Sequence, residues 1–322
     1  MGKTVLVTGV GGNVGQGVVR NIKNSGYDVR VVGTNTEAVS GGNHLCNKVY
    51  QVPFSSSPDY ISDMVRICVN EKVDLIIPCT DYETYYLAKE HKSLPVLSSS
   101  DAKVSYIFLN KYHTWMEFRK YEIPFAETFL PSMYNNEFKE TIVKPAEGRG
   151  SRDIHLNPPD MLSFSDDFIV QKLYKGAEIT TAFYVTKKKK LLGLITLRRT
   201  LSQGTTTACE VVFDYDKKIM EIITEIIRHF NVKGSCNIQS IVVKNGEIVP
   251  FEVNGRISGT NSIRSQFGFD DVKYTLQEHL YNEQPLKPIV KKGSAVRLYM
   301  DVIYPGINLN EIKDKTTKHY IY

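Results

Sequence analysis

Residues 234–256, GSCNIQSIVVKNGEIVPFEVNGR, hold the densest group of side chains able to do chemistry. Asn245-Gly246 between two β-rich runs is the preferred signal for a two-residue hairpin loop. With that loop, Gln239 faces Glu252 and Asn237 faces Asn254. Side chains alternate with period two, so these four project from one face and gather carboxylate and amide oxygens. Oxygen donors without His or Cys suit Mg²⁺ or a similar hard cation. A polar solvent-facing sheet is the alternative reading, although Glu252 lies opposite amides rather than a Lys or Arg that would pair with it. Pro250 in the second run belongs more naturally to an edge strand. Arg256, just past this face, would offer a fixed cation to a transferring phosphoryl group or an oxyanion.

A second group lies in TIVKPAEGRGSRDI, residues 141–154. A β-branched strand ends at Lys144-Pro145, and the loop Gly148-Arg149-Gly150-Ser151-Arg152 follows. Backbone N–H groups and cations in such a loop can wrap a polyphosphate, while a plain hairpin turn is the other reading. No GK[ST] follows, so it is not a Walker loop. Asp81 and Glu83 stand just past the strand 73–78, where open α/β sheets bind ligands. Equally, Asp81 would cap the next helix with Glu83 in its first turn. Gly9, Gly12 and Gly15 have the spacing of a dinucleotide loop, but the acid expected after the second strand is replaced by Val32-Gly33-Thr34-Asn35. Tyr85 and Lys89 form a YxxxK pair that reads as the face of an ordinary helix.

The elements that must position these groups follow from periodicity. Strands 3–8, 28–32 and 73–78 alternate with helices after Val14 and over 61–70, which implies a parallel sheet with right-handed crossovers. A strand over 168–171 continues through Lys172-Leu173-Tyr174 to Glu178, before a hairpin 179–198 whose tip, Lys187–Lys190, reads as solvated. Ile219, Ile222, Ile223, Ile226, Ile227 and Phe230 make a helical core stripe. A helix around Val272–Leu280 and a strand over Ala295–Val302 are expected in the tail. The chain of 322 residues suggests about two domains. Its 40 basic against 35 acidic residues give +5, too little for a dedicated nucleic-acid binder. All of that excess lies after residue 100, since the first hundred residues are neutral. No apolar run approaches a membrane span. Five scattered Cys without zinc-like spacing read as reduced, buried thiols of a cytoplasmic protein.

Taken in order, Lys111, the glycine-rich loop, the hinge strand with its Glu, and the Gln…Glu-x-Asn hairpin resemble the ATP-grasp superfamily. The likeness is to a single synthetase unit of the carbamoyl-phosphate synthase large subunit and to carboxylate-amine ligases of the pyrrolysine-biosynthesis type. Asn110-Lys111 looks like the family's Asp-Lys, and Glu122-Ile123-Pro124 like its Gly-Ile-Pro turn. The resemblance implies an α/β chain in which a Rossmann-like domain with a parallel sheet, residues 1–100, precedes a two-lobed α+β ATP-grasp domain, residues 101–322. The lid lobe would span about 112–170 and the palm lobe about 171–322.

It also implies that Lys111 and Lys144 hold ATP phosphates and that Gly148, Gly150 and Ser151 cover them. Gln171, Lys172 and Tyr174 would line the adenine hinge largely through backbone groups, with Glu178 on the ribose. Gln239, Glu252 and Asn254 would bind Mg²⁺ (or Mn²⁺), Arg256 and Lys144 would act in catalysis, and Ser258 would sit in a substrate loop. Asp81, Glu83, Arg199 and Arg264 are further acceptor or carboxylate contacts, surface salt bridging being the alternative for the arginines. Asn110 for Asp, Lys172 for Glu, Asp153 for Gly and Gly255 for Pro are departures from the pattern. The activity implied is an ADP-forming ligase joining a small-molecule carboxylate to an amine, with no nucleic-acid or membrane partner. A homodimer and a separate amine- or ammonia-supplying partner stay open. An NAD-dependent dehydrogenase or epimerase and a catalytically silent nucleotide-binding module are the alternatives.

Overall fold

The computed structural model describes residues 2–148, 153–161 and 163–322. Strands β1 (Lys3–Val7), β2 (Val29–Asn35), β3 (Lys48–Gln51), β4 (Leu75–Ile77) and β5 (Val96–Leu97) form a parallel sheet in the order β3-β2-β1-β4-β5. The apolar run of β1 is buried on both faces because alternate side chains enter different cores. Val5 and Val7 meet Val18, Val19 and Ile22 of helix α1 (Asn13–Asn24). Leu6 meets Tyr60, Met64 and Ile67 of α2 (Tyr60–Glu71) and Leu87 of α3 (Asp81–Lys89). Helix α1 lies directly on the loop after β1: a Cβ on Gly15 would fall 2.5 Å from the Gly9 carbonyl oxygen, so glycine is required there.

Helices α4 (Ala102–Leu109) and α5 (Lys111–Arg119) follow, each started by a side-chain cap. Asp101 accepts from the Val104 N–H, and Asn110 accepts from the N–H groups of Tyr112 and His113. The Asn110 cap sets the first turn that carries Lys111. Asn110→Ala is therefore expected to cost about 1 kcal/mol, read as a lower urea midpoint.

Beyond them, β6 (Thr128–Phe129), β7 (Thr141–Pro145), β8 (His155–Leu156) and β9 (Phe168–Lys172) make an antiparallel sheet ordered β6-β9-β7-β8. The larger sheet contains β10 (Gly176–Val185), β11 (Leu191–Ser202), β12 (Thr205–Val212), β13 (Gly234–Val243), β14 (Ile248–Asn254) and β15 (Ser294–Val296), ordered β14-β13-β10-β11-β12-β15. The isoleucine stripe of α6 (Asp216–His229) packs on this sheet against Phe183, Cys236 and Ile238. Phe108 of α4 and Phe118 of α5 close the same core.

Of the two tail expectations, the helix is met and the strand is shortened. The helix appears as α8 (Asp271–His279), after the single turn α7 (Asn261–Arg264), and is capped by Asp270. The strand is only Ser294–Val296, where it pairs with β12. Beyond it Val302–Ile303 pairs with Tyr320–Ile321 instead. The lysine tip is not wholly solvated either, because Lys187 donates to both the carboxylate and the carbonyl of Glu278 on α8. All five cysteines are buried and unbridged. Among the described residues no helix is long and apolar enough to cross a membrane.

Candidate active site

A cleft of about 240 Å³ opens between the two antiparallel sheets and is lined by Lys111, Lys144, Gly148, Gln171–Tyr174 and Glu178. Ile142, Val249 and Phe251 give it apolar walls suited to a flat ring. The Lys111 ammonium, at the start of α5, reaches the Gly148 carbonyl at 3.3 Å and Glu252 Oε2 at 3.8 Å. Lys144, near the end of β7, holds its ammonium 4.8 Å from the Phe251 ring centroid. Burial and the neighbouring Lys111 push the Lys144 ammonium down from 10.5 to about 7, against the partial pull of Glu252 and Glu178. Burial pushes the Glu252 carboxyl up, but Lys111, Lys144 and the Asn254 amide more than offset this and hold it below 4.5. Glu252 is therefore ionised at neutral pH.

The hairpin brings its expected residues together by an unexpected route. The loop has three residues, Lys244-Asn245-Gly246, because the Val243 N–H bonds to the Glu247 carbonyl and Gly246 takes a left-handed φ of 78°. This shifts the pairing by one residue, giving Val242↔Ile248 and Ser240↔Pro250. The register then shifts again: Phe251 is an extra residue in β14, and Gln239↔Glu252 and Asn237↔Asn254 pair as expected. The bulge also lets consecutive residues, Phe251 and Glu252, face the same cleft. Pro250 is tolerated because β14 is the sheet edge. Gln239 Nε2 lies 3.1 Å from Glu252 Oε1 and 3.4 Å from Asn254 Oδ1, and Asn254 Nδ2 lies 2.9 Å from Glu252 Oε1. Asn237 is used differently, accepting from Thr180 and Ser258.

Other nucleotide-site candidates divide. The Gln171 side chain is buried and donates to Thr128 Oγ1 at 2.9 Å, while its backbone lies in the ladder between β6 and β7. The Lys172 ammonium sits over the Tyr174 ring at 5.3 Å. Both bonds from Arg199 to Glu178 fall on Oε1, at 2.6 and 3.1 Å, and Arg199 also bonds Gln239. Gly150 and Ser151 lie outside the described residues. Asp153, the departure from glycine, holds a left-handed φ of 55°, a backbone conformation Asp tolerates, and meets His155 Nε2 at 2.8 Å.

A second cavity of about 720 Å³ lies between the parallel sheet and the larger antiparallel one. The loops after β1 and β4, which flank the switch point of the parallel sheet, form one wall. Asp81 lines it but does not cap α3; Thr80 does, accepting from the Glu83 N–H. Asp81 instead pairs with Arg256 at 2.6 Å across the two domains. Glu83 also lines this cavity, where it is largely buried and accepts from Thr8 and Thr80 at 2.7 and 2.8 Å.

Ser258 lines the cavity, whereas Arg264 does not. The Arg264 guanidinium is 0% exposed, paired with Asp271 at 2.5 Å and bonded to Ser258 and Thr260, so its expected substrate role gives way to a structural one. Asp271→Ala would strand that buried cation and is expected to cost about 3–5 kcal/mol, measured as a lowered denaturant midpoint. Tyr85 packs among the Tyr86 and Tyr106 rings, and neither Tyr85 nor Lys89 lines either cavity. Sequence reasoning missed Phe54, Ser55 and Ser56, which line the second cavity just after β3. The tendency of ligands to collect past the carboxyl ends of parallel strands would have singled them out.

Residues 5–97 match the PylC-like N-terminal domain, and residues 108–260 match the ATP-grasp domain. No curated protein matches the chain in sequence. Among solved structures, it is similar to the ADP complex of purK, an N5-carboxyaminoimidazole ribonucleotide synthetase. The TM-score is 0.75 at 12% identity, over 99% of this chain and 92% of that one. The N5-carboxyaminoimidazole synthetase of Staphylococcus aureus complexed with ADP gives 0.73 at 11%, over 92% and 83%. The biotin carboxylase domain of Hydrogenobacter thermophilus 2-oxoglutarate carboxylase, complexed with MgADP, ADP and bicarbonate, gives 0.70 at 13%, over 88% and 71%. Identities this low speak for the fold alone. The two domain matches place an ATP-grasp domain after a PylC-like N-terminal domain in this chain.

Proposed function

We propose that the protein is a Mg·ATP-dependent ligase that phosphorylates a carboxylate and passes the acyl group to an amine or related nucleophile, releasing ADP and phosphate. The observation that carries this reading is the junction of the two cavities: Arg199, Gln239 and Glu252 line both. A nucleotide in the smaller cleft and an acceptor in the larger one would meet at Glu252, beside Lys111 and Arg256.

In this reading the apolar walls and the hinge segment 171–174, which lines the cleft, hold the adenine, and the second oxygen of Glu178 accepts from the ribose. Lys111 and Lys144 hold phosphates, with Gly148 at the root of the glycine-rich segment to which Gly150 and Ser151 belong. The donor set fits a hard divalent cation: one ionised carboxylate stands beside two amides, and among the described residues no cluster of three His, Cys, Asp or Glu side chains competes with it. Gln239, Glu252 and Asn254 would hold Mg²⁺ or Mn²⁺, with the amides turned to present their carbonyl oxygens. When bound, the ion neutralises phosphate charge and orients the transferred group. Arg256 would stabilise negative charge on the transferring phosphoryl group and the acyl phosphate oxygens. The remaining work is positioning, which is why the residues are cations and hydrogen-bond donors rather than nucleophiles.

Incubation with Mg·ATP and a panel of amino acids and other carboxylate–amine pairs tests the proposal. Acceptor-dependent release of ADP and phosphate is expected. NAD(H) binding without affinity for ATP would overturn it, and tight ATP binding without turnover on any pair would favour a silent nucleotide-binding module.

A further inference from the structure

Three consecutive residues of the first domain reach three different parts of the site. Successive positions on a helix point about 100° apart, so the first turn of α3 can serve separate neighbours. Asp81 Oδ2 accepts from Arg256 Nε at 3.1 Å and from Nη2 at 2.6 Å, while Arg256 Nη1 donates to the Ile257 carbonyl at 3.2 Å. All three guanidinium nitrogens are thereby engaged. The Tyr82 hydroxyl donates to the Glu147 carbonyl at 3.2 Å, at the root of the glycine-rich segment. Asn110 bonds the Glu147 carboxylate at 3.2 Å, and the Lys111 N–H bonds the Ala146 carbonyl at 2.9 Å. Glu83 fixes the turn itself, tied to Thr8 beside the first glycine loop and to Thr80.

We propose that Asp81 and Tyr82 are positioning residues through which the first domain sets the geometry of the phosphate-transfer groups: Asp81 aims Arg256, and Tyr82 holds the backbone that carries Gly148. The inference rests on the ligase reading above. Both residues also line the larger cavity, so an acceptor there would touch the turn that holds these groups in place. Asp81 acts through Arg256 and needs no contact with the transferring atoms.

The full-length wild type, Asp81→Asn, Asp81→Glu, Tyr82→Phe, Arg256→Lys and the Asp81→Asn/Arg256→Lys double variant test this. Mg·ATP binding would be followed by the fluorescence of Trp115, the sole tryptophan, and turnover by ADP release with the amino-acid panel. Asp81→Asn is expected to bind Mg·ATP within about twofold of wild type but to lose about tenfold or more in kcat at saturating ATP. Asp81→Glu should recover part of the loss, and the double variant should be no slower than the worse single one. Tyr82→Phe is expected to weaken Mg·ATP binding several-fold. A merely structural role would lower the thermal midpoint and leave kcat of the folded enzyme intact. Wild type that binds no Mg·ATP removes the ligase reading and this one with it. Wild type that turns over while Asp81→Asn and Tyr82→Phe match it in kcat and Kd overturns the positioning role alone, as would additive losses in the double variant.

Discussion

Glu252→Ala is expected to lower acceptor-dependent ADP release by about 10²–10³-fold, on the scale of losing one preorganised electrostatic group from a reacting centre. Among the described residues the carboxylate is the one acid that lines both cavities, where Lys111 and Lys144 hold it ionised. Without it the oxygen set is reduced to two amides, a poor match for a divalent cation. Glu252→Gln should be nearly as slow, because it keeps the shape and loses the charge. The fold should survive in both, since Lys144 can give up its proton rather than face Lys111 unbalanced. Steady-state ADP release with a circular-dichroism check makes the measurement, and activity within threefold of wild type would remove Glu252 from the site.

The second large effect concerns Lys144 in the metal-free, nucleotide-free protein. Its ammonium is driven to about 7 in the fold but titrates near 10.5 when unfolded. Between those values the unfolded chain keeps a proton that the folded chain has released, so stability rises with pH across that window. The full span corresponds to about 5 kcal/mol for a side chain this buried. Cysteines set the upper limit: burial raises the Cys46 and Cys68 thiols from 9.0 to about 12, so above pH 9 the unfolded chain loses protons that the fold retains, and stability falls. Thermal midpoints in EDTA should therefore climb from pH 7 to about 8.5 and then turn down. Lys144→Met should flatten the climb and be the more stable protein at pH 7, while losing ATP affinity. Equal slopes in the two proteins would refute the assignment. In wild type, ATP must recharge Lys144, so affinity should weaken above pH 7 and binding should take up a proton, read by calorimetry in buffers of different ionisation enthalpy.

Much of this site was legible because the sheet face is dictated by alternation. Even so, the Gln239–Glu252 pairing was reached from a wrong premise. The loop is one residue longer than Asn245-Gly246 suggests, and the bulge at Phe251 restores the register by the same one residue. Such a bulge has no strong signature in residue types, although Pro250 beside it marks the edge strand on which bulges concentrate. Asn110 departs from the Asp of the Asp-Lys pair it resembles, yet either residue accepts from the first turn of a helix, so the capping role of the position is kept. Arg264 was misjudged for a different reason. Its partners Asp271, Ser258 and Thr260 are close in sequence, but an arginine's burial depends on how the turns around it close, which composition does not reveal. The Asp81–Arg256 contact spans 175 positions and was beyond local patterning altogether.

Val272 and Leu276 of α8 are fully buried in the same core as Val5, Val7 and Val18 of the first domain. That core therefore cannot be finished when the first hundred residues leave the ribosome. It waits for a helix that begins only at Asp271, by which time the intervening sheets have had the opportunity to fold. A chain halted before α8 would display the apolar wall left open by Val272 and Leu276, which marks unfinished copies for chaperone or protease capture before their nucleotide cleft is of any use.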